Sequence, residues 1–164
     1  MLLVCFLQFI IDGMLGKLTR WLRMLGHDVT YYQGVDDKEL ILLAESEKRI
    51  LLTRDRDLYQ QAIRRGLDSF FVDLVSDACK LAVLARRFGF SLVFNFSVSR
   101  CPKCNGELES VSKAAVLDKL HEGTVSSYDN FWLCVVCGQV YWQGAHWKQI
   151  MLVLDEANRL LGLL

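Results

Sequence analysis

The stretch FLQFIIDGMLGKLTRWLRMLGHDVTYY, residues 6–32, decides the fold class of this chain. It begins with an apolar run, FLQFII, which predicts a central strand covered on both faces and ending at Asp12. The residues that follow have helical periodicity, with apolar side chains on one face and Lys17, Arg20 and Arg23 on the other. A second β-rich segment, HDVTYY, completes a strand–helix–strand unit.

The same alternation continues through the first hundred or so residues of the chain. The sequence predicts a further helix, strand, helix, strand and helix in the segments DDKELILLAESEK, RILLT, DLYQQAIRRG, DSFFVDLV and SDACKLAVLARRFG. Asp36 and Glu39 have the spacing of a capping box at the start of the second helix. Repeated strand–helix alternation predicts a parallel sheet with helices on its faces, so the predicted fold class is α/β.

Two CxxC pairs stand out in the last third of the chain. Each pair can offer two thiolates to one tetrahedral metal ion, and the four cysteines are Cys101, Cys104, Cys134 and Cys137. Gly106 and Gly138 follow the pairs, where we expect tight turns with positive φ. A redox dithiol is the alternative, but two matched pairs favour zinc. The sequence therefore predicts one structural zinc ion per chain.

The change in sequence character near residue 97 suggests two domains. The cysteine pairs enclose a polar stretch, after which HWKQIMLVLDEANRLLGLL returns to a helical pattern. We expect an α/β domain over residues 1–97 and a zinc ribbon with a C-terminal helix over residues 98–164.

Composition restricts the class of protein further. Lys plus Arg and Asp plus Glu both number 19, and the resulting formal net charge of zero argues against nucleic-acid binding by bulk charge alone. No segment reaches the ~20 apolar residues of a membrane helix. The opening run MLLVCFLQFII lacks the basic leader and cleavage site of a signal peptide. We therefore expect a buried strand, with Cys5 in the core, in a cytoplasmic protein without membrane attachment.

Aspartates follow three of the predicted strands: Asp12 the first, Asp36 and Asp37 the second, Asp55 and Asp57 the third. Asp36 is a candidate helix N-cap and Asp57 a candidate cap of a helix beginning directly after it, whereas Asp12 has no evident structural role. Ligand sites in open α/β sheets lie beyond the carboxyl ends of the strands, where these carboxylates would converge and repel one another. Oxygen ligands suit Mg²⁺ or Mn²⁺, so the pattern predicts a divalent-metal site that activates water for phosphodiester hydrolysis.

Basic and aromatic residues near these two sites are candidate nucleic-acid contacts. Lys17 and Arg20 on the first helix, with Arg54 beside the aspartates, could hold phosphates, although a solvated helix face is an equally plain interpretation. Trp142 and His146 lie just beyond the cysteines among other aromatic residues. They could stack on unpaired bases, while a packed or hydrogen-bonded histidine is the alternative for His146.

These motifs together resemble the Mut-seven-C RNase domain family, which belongs to the PIN-like nucleases. The similarity runs from about residue 8 to residue 150. It is carried by DGMLGKL (12–18), WLR (21–23), DDKEL (36–40), LTRD (52–55), RCPKCN (100–105) and CVVCGQVYWQGAHW (134–147).

The resemblance implies a three-layer α/β/α PIN-like parallel sheet with an appended C-terminal zinc ribbon and terminal helix. It also implies divalent-metal-dependent cleavage of RNA, with single-stranded character expected at the stacking residues. The PIN-type metal carboxylates fall on Asp12, Asp37 and Asp55, with Asp57 in a supporting position.

Two other functions remain open on the residues themselves. One is a non-catalytic RNA-binding or ribonucleoprotein assembly module in which the aspartates are vestigial. The other is a phosphotransfer or phosphatase domain with an aspartyl nucleophile. It is disfavoured because DGMLG, residues 12–16, lacks a second aspartate two residues after the first.

Overall fold

The computed structural model describes residues 6–164. The predicted extension of the first strand into residues 1–5, together with the predicted core position of Cys5, lies outside this range. The first half of the chain forms four strands, β1 (Gln8–Ile11), β2 (Asp28–Tyr31), β3 (Ile50–Thr53) and β4 (Ser69–Phe71). It also forms four helices, α1 (Gly16–Met24), α2 (Asp37–Glu47), α3 (Arg56–Arg64) and α4 (Asp77–Phe88).

All four strands are parallel, in the order β2-β1-β3-β4, which confirms the α/β prediction. The chain runs from β1 outward to β2 and then returns to β3 on the opposite side of β1. The order of the strands therefore reverses between β1 and β3. In open α/β sheets the carboxyl ends of the strands at such a point form the usual ligand crevice.

The apolar β1 forms the centre of a three-layer structure. Phe9 and Ile11 are fully buried in one apolar cluster, with residues of α1 and α4, whereas Ile10 is fully buried in a second cluster, with residues of α2 and α3. Successive strand side chains point to opposite faces, so a continuous apolar run can serve both layers.

The second half of the chain contains a small antiparallel sheet in the order β5-β6-β7. Its strands are β5 (Leu108–Val111), β6 (Phe131–Cys134) and β7 (Val140–Tyr141). Between β5 and β6 the chain forms a 3-10 segment (Lys113–Lys119) and the short helix α5 (Glu122–Ser127). Val116, Phe131 and Val140 form the small core of this part.

The terminal helix α6 (Trp147–Leu161) packs against the α/β part of the molecule. Leu154 and Ala157 are buried in the same apolar cluster as α1 and α4. The sequence grouped this helix with the ribbon, but its apolar stripe is covered by α4. The division near residue 97 otherwise stays a prediction. None of the helices within residues 6–164 has the length and apolarity needed to cross a bilayer.

A buried arginine joins the two halves. Arg23 donates to the carbonyl oxygen of Val29 in β2, at 2.7 Å and 3.0 Å, and to the carbonyl oxygens of Pro102 and Lys103, at 3.1 Å and 3.2 Å. The sequence places Arg23 on the outer face of this helix with Lys17 and Arg20, either solvated or free to contact phosphates, and for Arg23 the structure shows a buried guanidinium instead. That side of α1 faces the cysteine-rich segment, and the guanidinium supplies enough donors for three carbonyl groups.

Candidate functional site

Asp12 ties together the carboxyl ends of the two central strands. Its Oδ1 accepts a hydrogen bond of 2.8 Å from the Met14 N–H, which caps the 3-10 turn after β1. Its Oδ2 accepts from the Thr53 hydroxyl and, at 3.2 Å, from the Arg54 N–H, both at the end of β3. Asp12 is buried, with 8% of its surface exposed, and the sequence did not indicate this structural role.

Asp55 is the N-cap of α3. Its Oδ1 accepts from the N–H groups of Asp57 and Leu58, at 2.8 Å and 2.9 Å, while its own N–H donates to the Thr53 hydroxyl at 2.9 Å. The expectation that Asp57 caps a helix starting after it was wrong, because α3 begins one residue after Asp55 and Asp57 lies in its first turn.

Thr53 is a site residue that sequence reasoning missed. Its hydroxyl donates to Asp12 and accepts from the Asp55 N–H, so it links two of the predicted site aspartates. The sequence feature that could have identified Thr53 is a hydroxyl residue at the end of an apolar strand, directly before charged residues. A hydroxyl is both donor and acceptor, which this position requires.

Asp36 and Asp37 begin the neighbouring helix. Asp36 is the N-cap of α2 and accepts from the Glu39 N–H at 2.8 Å, which confirms the capping prediction. Asp37 is the first residue of the helix, and within residues 6–164 its carboxylate has no hydrogen-bond partner. Burial raises the pKa of Asp37, and so, in decreasing order, do the negative charges of Asp55, Asp12, Asp36 and Asp57.

We call these five aspartates the acidic edge. They are Asp12, Asp36, Asp37, Asp55 and Asp57. Among the residues that the structure describes, no three carboxylates bring ligand oxygens within 4.8 Å of one another. The described residues therefore hold no compact carboxylate cluster at this edge, and the convergence of Asp12, Asp37 and Asp55 on one metal ion stays a prediction. The carboxylates of the acidic edge are more widely spaced than those of a compact ligand set, but four of them still raise the pKa of the fifth, Asp37.

The four cysteines form a compact cluster. Their sulfur atoms all lie within 4.8 Å of one another, with Cys101 3.7 Å from Cys137 and Cys104 3.4 Å from Cys134. The hydroxyl of Tyr141 lies 3.1 Å from the Cys101 sulfur. Four thiols at this separation could hold a tetrahedral metal ion such as zinc.

The thiols of this cluster perturb one another. Burial acts to raise the pKa of Cys101, but hydrogen bonds from the Tyr141 hydroxyl and from backbone N–H groups lower it to about 7. Burial and the neighbouring thiols raise the pKa of Cys104 to about 12. Like charges at this separation repel, and a bound cation stabilises the thiolates that would otherwise remain protonated.

The turns after the two cysteine pairs are formed by different residue types. Gly138 has the expected positive φ of 70°. After the first pair, however, Asn105 has the positive φ, 73°, so the expectation for Gly106 was wrong. A Cβ at Gly106 would lie 2.7 Å from the side chain of Val136, so this glycine is required by close packing instead.

A comparison with family models matches residues 7–154 to the Mut7-C RNAse domain. This chain belongs to the Mut7-C RNAse domain family. The match covers both the sheet with its acidic edge and the cysteine cluster, and it confirms the resemblance seen in the motifs. It also supports a nuclease or RNA-related function. Searches of curated proteins and of solved structures give no match.

A basic groove of about 750 Å³ lies between α1 and the first cysteine pair of this Mut7-C RNAse domain. Its cationic side chains are Lys17, Arg20, Arg23 and Lys103, and Pro102 and Tyr141 line the same groove. No aspartate or glutamate is among the described residues that line it. The groove begins where α1 leaves the turn capped by Asp12, so it adjoins the acidic edge.

The residues predicted to contact phosphates differ in whether their positive charge is already paired with a carboxylate. The ammonium group of Lys17 lies 2.8 Å from Asp77. Arg20 and Arg54 are exposed and have no ion-pair partner within residues 6–164. Arg20 lines the basic groove, whereas the backbone of Arg54 contacts Asp12 at the acidic edge.

The two predicted stacking residues have different surroundings. Trp142 is half-buried and packs beside the small ribbon core. His146 is exposed and directly precedes α6, and its side chain makes no capping hydrogen bond. The structure therefore brings Trp142, but not His146, into a packed environment.

Proposed function

We propose that this protein is a divalent-metal-dependent ribonuclease that hydrolyses RNA phosphodiester bonds at the acidic edge, with the zinc ribbon assisting RNA binding. Membership of an RNase-domain family supports the reaction class. The observation that carries the location is the raised pKa of Asp37, on which four other carboxylates act. Carboxyl groups whose pKa is raised by neighbouring carboxylates, at a crevice between strand ends, are candidates for a functional site.

The remaining lone pairs of the acidic edge suit a hard cation. A carboxylate offers about four acceptor positions. Asp12 accepts three hydrogen bonds, so one acceptor position remains free on its Oδ1. Asp55 accepts hydrogen bonds only on Oδ1, so its Oδ2 is free. Asp37 accepts none from the described residues. We assign Asp37, Asp55 and Asp12 as the residues that would hold Mg²⁺ or Mn²⁺. When bound, such an ion lowers the pKa of a coordinated water and offsets phosphate charge.

The other groups at this edge position the substrate and the ligands. Thr53 fixes the carboxylates of Asp12 and Asp55 relative to each other through its two hydrogen bonds. Asp57 adds negative charge close to Asp37. The free guanidinium groups of Arg20 and Arg54 are suited to RNA phosphates, since arginine binds phosphate oxygens in a bidentate manner.

We infer that the cysteine cluster holds one structural zinc ion per chain. The compact set of four thiols supports this assignment, since structural zinc sites are closed and tetrahedral. Its role is to fold the ribbon, which has a core of only three buried apolar residues. Thiolate ligands need reducing conditions, which fits a cytoplasmic location.

Incubation of the purified protein with mixed cellular RNA tests the proposed function. We expect new RNA ends with Mn²⁺ or Mg²⁺ and none without added divalent cation, and sequencing of these ends would show where the chain cuts. An Asp37→Asn variant at equal purity should be inactive. Equal cutting by this variant and by the wild type would overturn the proposal.

One observation favours a second candidate function. The carboxylates of Asp12 and Asp55 both cap local structure, so their presence is explained without catalysis. A non-catalytic RNA-binding or assembly module would keep the same contacts. RNA binding by the wild type with no metal-dependent cleavage of any RNA in the mixture would select this function.

A further inference from the structure

An aromatic pocket of about 180 Å³ lies where the linker between α4 and the ribbon (residues 89–97), the ribbon and α6 meet. We define it by Phe94, Phe96, Tyr141, Trp142 and Trp147, with Arg100 as its charged group. Its volume is below the ~300 Å³ at which sites for whole small molecules begin. The space therefore suits one planar ring.

Existing aromatic contacts hold the walls of this pocket. The ring of Phe96 stacks on Trp132, with centroids 3.5 Å apart and planes 6° apart. Trp147 packs edge-on against Phe94, with centroids 4.7 Å apart and planes 76° apart. These contacts fix the linker on the ribbon and on α6, so the pocket walls are formed before any ligand binds.

The pocket adjoins the basic groove. Pro102 and Tyr141 line both cavities, so these two residues form the ridge between them. One side of the ridge presents Lys17, Arg20 and Lys103, and the other side presents aromatic rings. Proteins that bind single strands combine a cationic groove, which follows the phosphate backbone, with aromatic side chains on which the bases stack.

We propose that a single RNA strand lies with its phosphates in the basic groove and inserts one unpaired base into the aromatic pocket across the Pro102–Tyr141 ridge. This inference rests on the proposed function and specifies its substrate as RNA with an unpaired base next to the cut segment. A duplex cannot make this contact without breaking a base pair, because its bases are stacked and paired. The positive lining of the groove fits the charge of the backbone.

Binding measurements on the full zinc-loaded chain test the proposal. The chain carries Asp37→Asn to prevent cutting, and the probes are a short labelled oligouridylate, the same RNA with one base removed at each position in turn, and a duplex. We expect removal of one particular base to weaken binding about tenfold, since stacking of a base has that magnitude. Removal of the other bases should change affinity less, and the duplex should bind more weakly than the single strand.

A pocket variant provides the matched comparison. Trp142→Ala should weaken binding of the intact RNA about tenfold and should not weaken binding of the sensitive base-less RNA further. Trp142→Phe should restore most of the affinity. Because Trp142 also packs beside the ribbon core, zinc content is measured for each variant. Quenching of tryptophan fluorescence in the Asp37→Asn chain by intact but not base-less RNA gives a readout that needs no substitution in the pocket.

Several results would overturn the inference. Equal affinity and equal quenching for intact and base-less RNA would exclude a base pocket, as would tighter binding of the duplex. Self-association that Trp142→Ala abolishes, without dependence on bases, would assign the pocket to a second copy of the chain. The proposed catalytic function fails separately, if single strands bind with the expected base dependence but the wild-type protein never cuts them.

Discussion

Asn105, which directly follows the first cysteine pair, donates a hydrogen bond of 2.7 Å to the carboxylate of Asp28 in β2. Its Oδ1 also accepts from the Val29 N–H at 3.0 Å. Because β2 is the outer strand of the sheet, this N–H would otherwise need a partner at an open edge. One side chain therefore covers a strand edge with the ribbon, while its backbone forms the positive-φ turn of the cysteine pair.

We expect two substitutions of Asn105 to destabilise the protein by different amounts. Asn105→Gly keeps the positive φ but leaves the Val29 N–H without its partner, which should cost about 1–3 kcal/mol. Asn105→Ala loses the same hydrogen bonds and adds the cost of a left-handed conformation, about 1 kcal/mol more. Urea unfolding measures both, and a glycine variant as stable as wild type would contradict the inferred role of the side chain.

Loss of the carboxylate charge should lower the free energy of unfolding at Asp12 but not at Asp37. Asp12→Asn replaces an acceptor oxygen by an amide group facing N–H or O–H donors, so the free energy of unfolding should fall by about 1–3 kcal/mol. Asp37→Asn removes a repelled carboxylate with no hydrogen-bond partner in the described chain, so stability should be unchanged or slightly higher. Urea unfolding at neutral pH gives both values. A large loss of stability in Asp37→Asn would show that its carboxylate has a structural role.

His27 should make the stability of the fold depend on pH. It is 2% exposed, its Nδ1 accepts from the Leu7 N–H at 3.2 Å, and burial lowers its pKa to about 4. Between pH 4 and about 6.5 the unfolded chain binds more protons at this residue than the folded chain does. Stability should therefore rise by about 3 kcal/mol across this interval and level off above it.

A substitution isolates the contribution of this histidine. His27→Gln can retain an acceptor for the Leu7 N–H and does not titrate, so it should flatten the rise in stability between pH 4 and 6.5. His146 is exposed, and His146→Gln should leave the rise unchanged. An unchanged slope in His27→Gln would assign the pH dependence to other groups.

Local rules predicted the elements of this fold better than they predicted its contacts. The apolar run before Asp12 and the alternation after it identified a parallel sheet, since strand burial and helix periodicity are local signals. The Arg23 bridge and the docking of α6 were not predicted, because both depend on which surface the second half of the chain covers. The same pattern of polar residues is found on a solvated helix face and on one that donates to neighbouring carbonyl groups.

The candidate sites differ in how directly the sequence specified them. Two matched cysteine pairs nearly fix a compact cluster, because each pair already places its two sulfurs close together. The acidic edge depends on strand order and on competing roles for each carboxylate. An aspartate after a strand can be a helix cap, a link between strands or a metal ligand. Asp55 is a helix cap, and Asp12 links two strands.

Removal of zinc should unfold the ribbon and alter tryptophan fluorescence. The stack of Phe96 on Trp132 joins β6 to the linker, so loss of the ribbon fold should separate these rings. We expect Cys104→Ser to purify with little zinc and a lowered melting temperature, whereas Cys79→Ser, outside the cluster, should retain one zinc ion. Elemental analysis and near-ultraviolet circular dichroism measure these effects. Full zinc content in Cys104→Ser would contradict the assignment.

Asp55 allows capping and catalysis to be separated at one position. Asparagine is as good an N-cap as aspartate, so Asp55→Asn should keep the stability of α3 within about 0.5 kcal/mol, while Asp55→Ala should lose ~0.5–2 kcal/mol. Both variants lack the carboxylate proposed to hold the metal, so both should lose metal-dependent RNA cleavage by at least about a hundredfold.

Asp36→Asn is the matched control, because Asp36 caps α2 in the same way but is not assigned as a ligand. It should retain most of the activity. If Asp55→Asn cuts RNA as fast as the wild type, Asp55 serves only as a cap and the metal site must be formed without it.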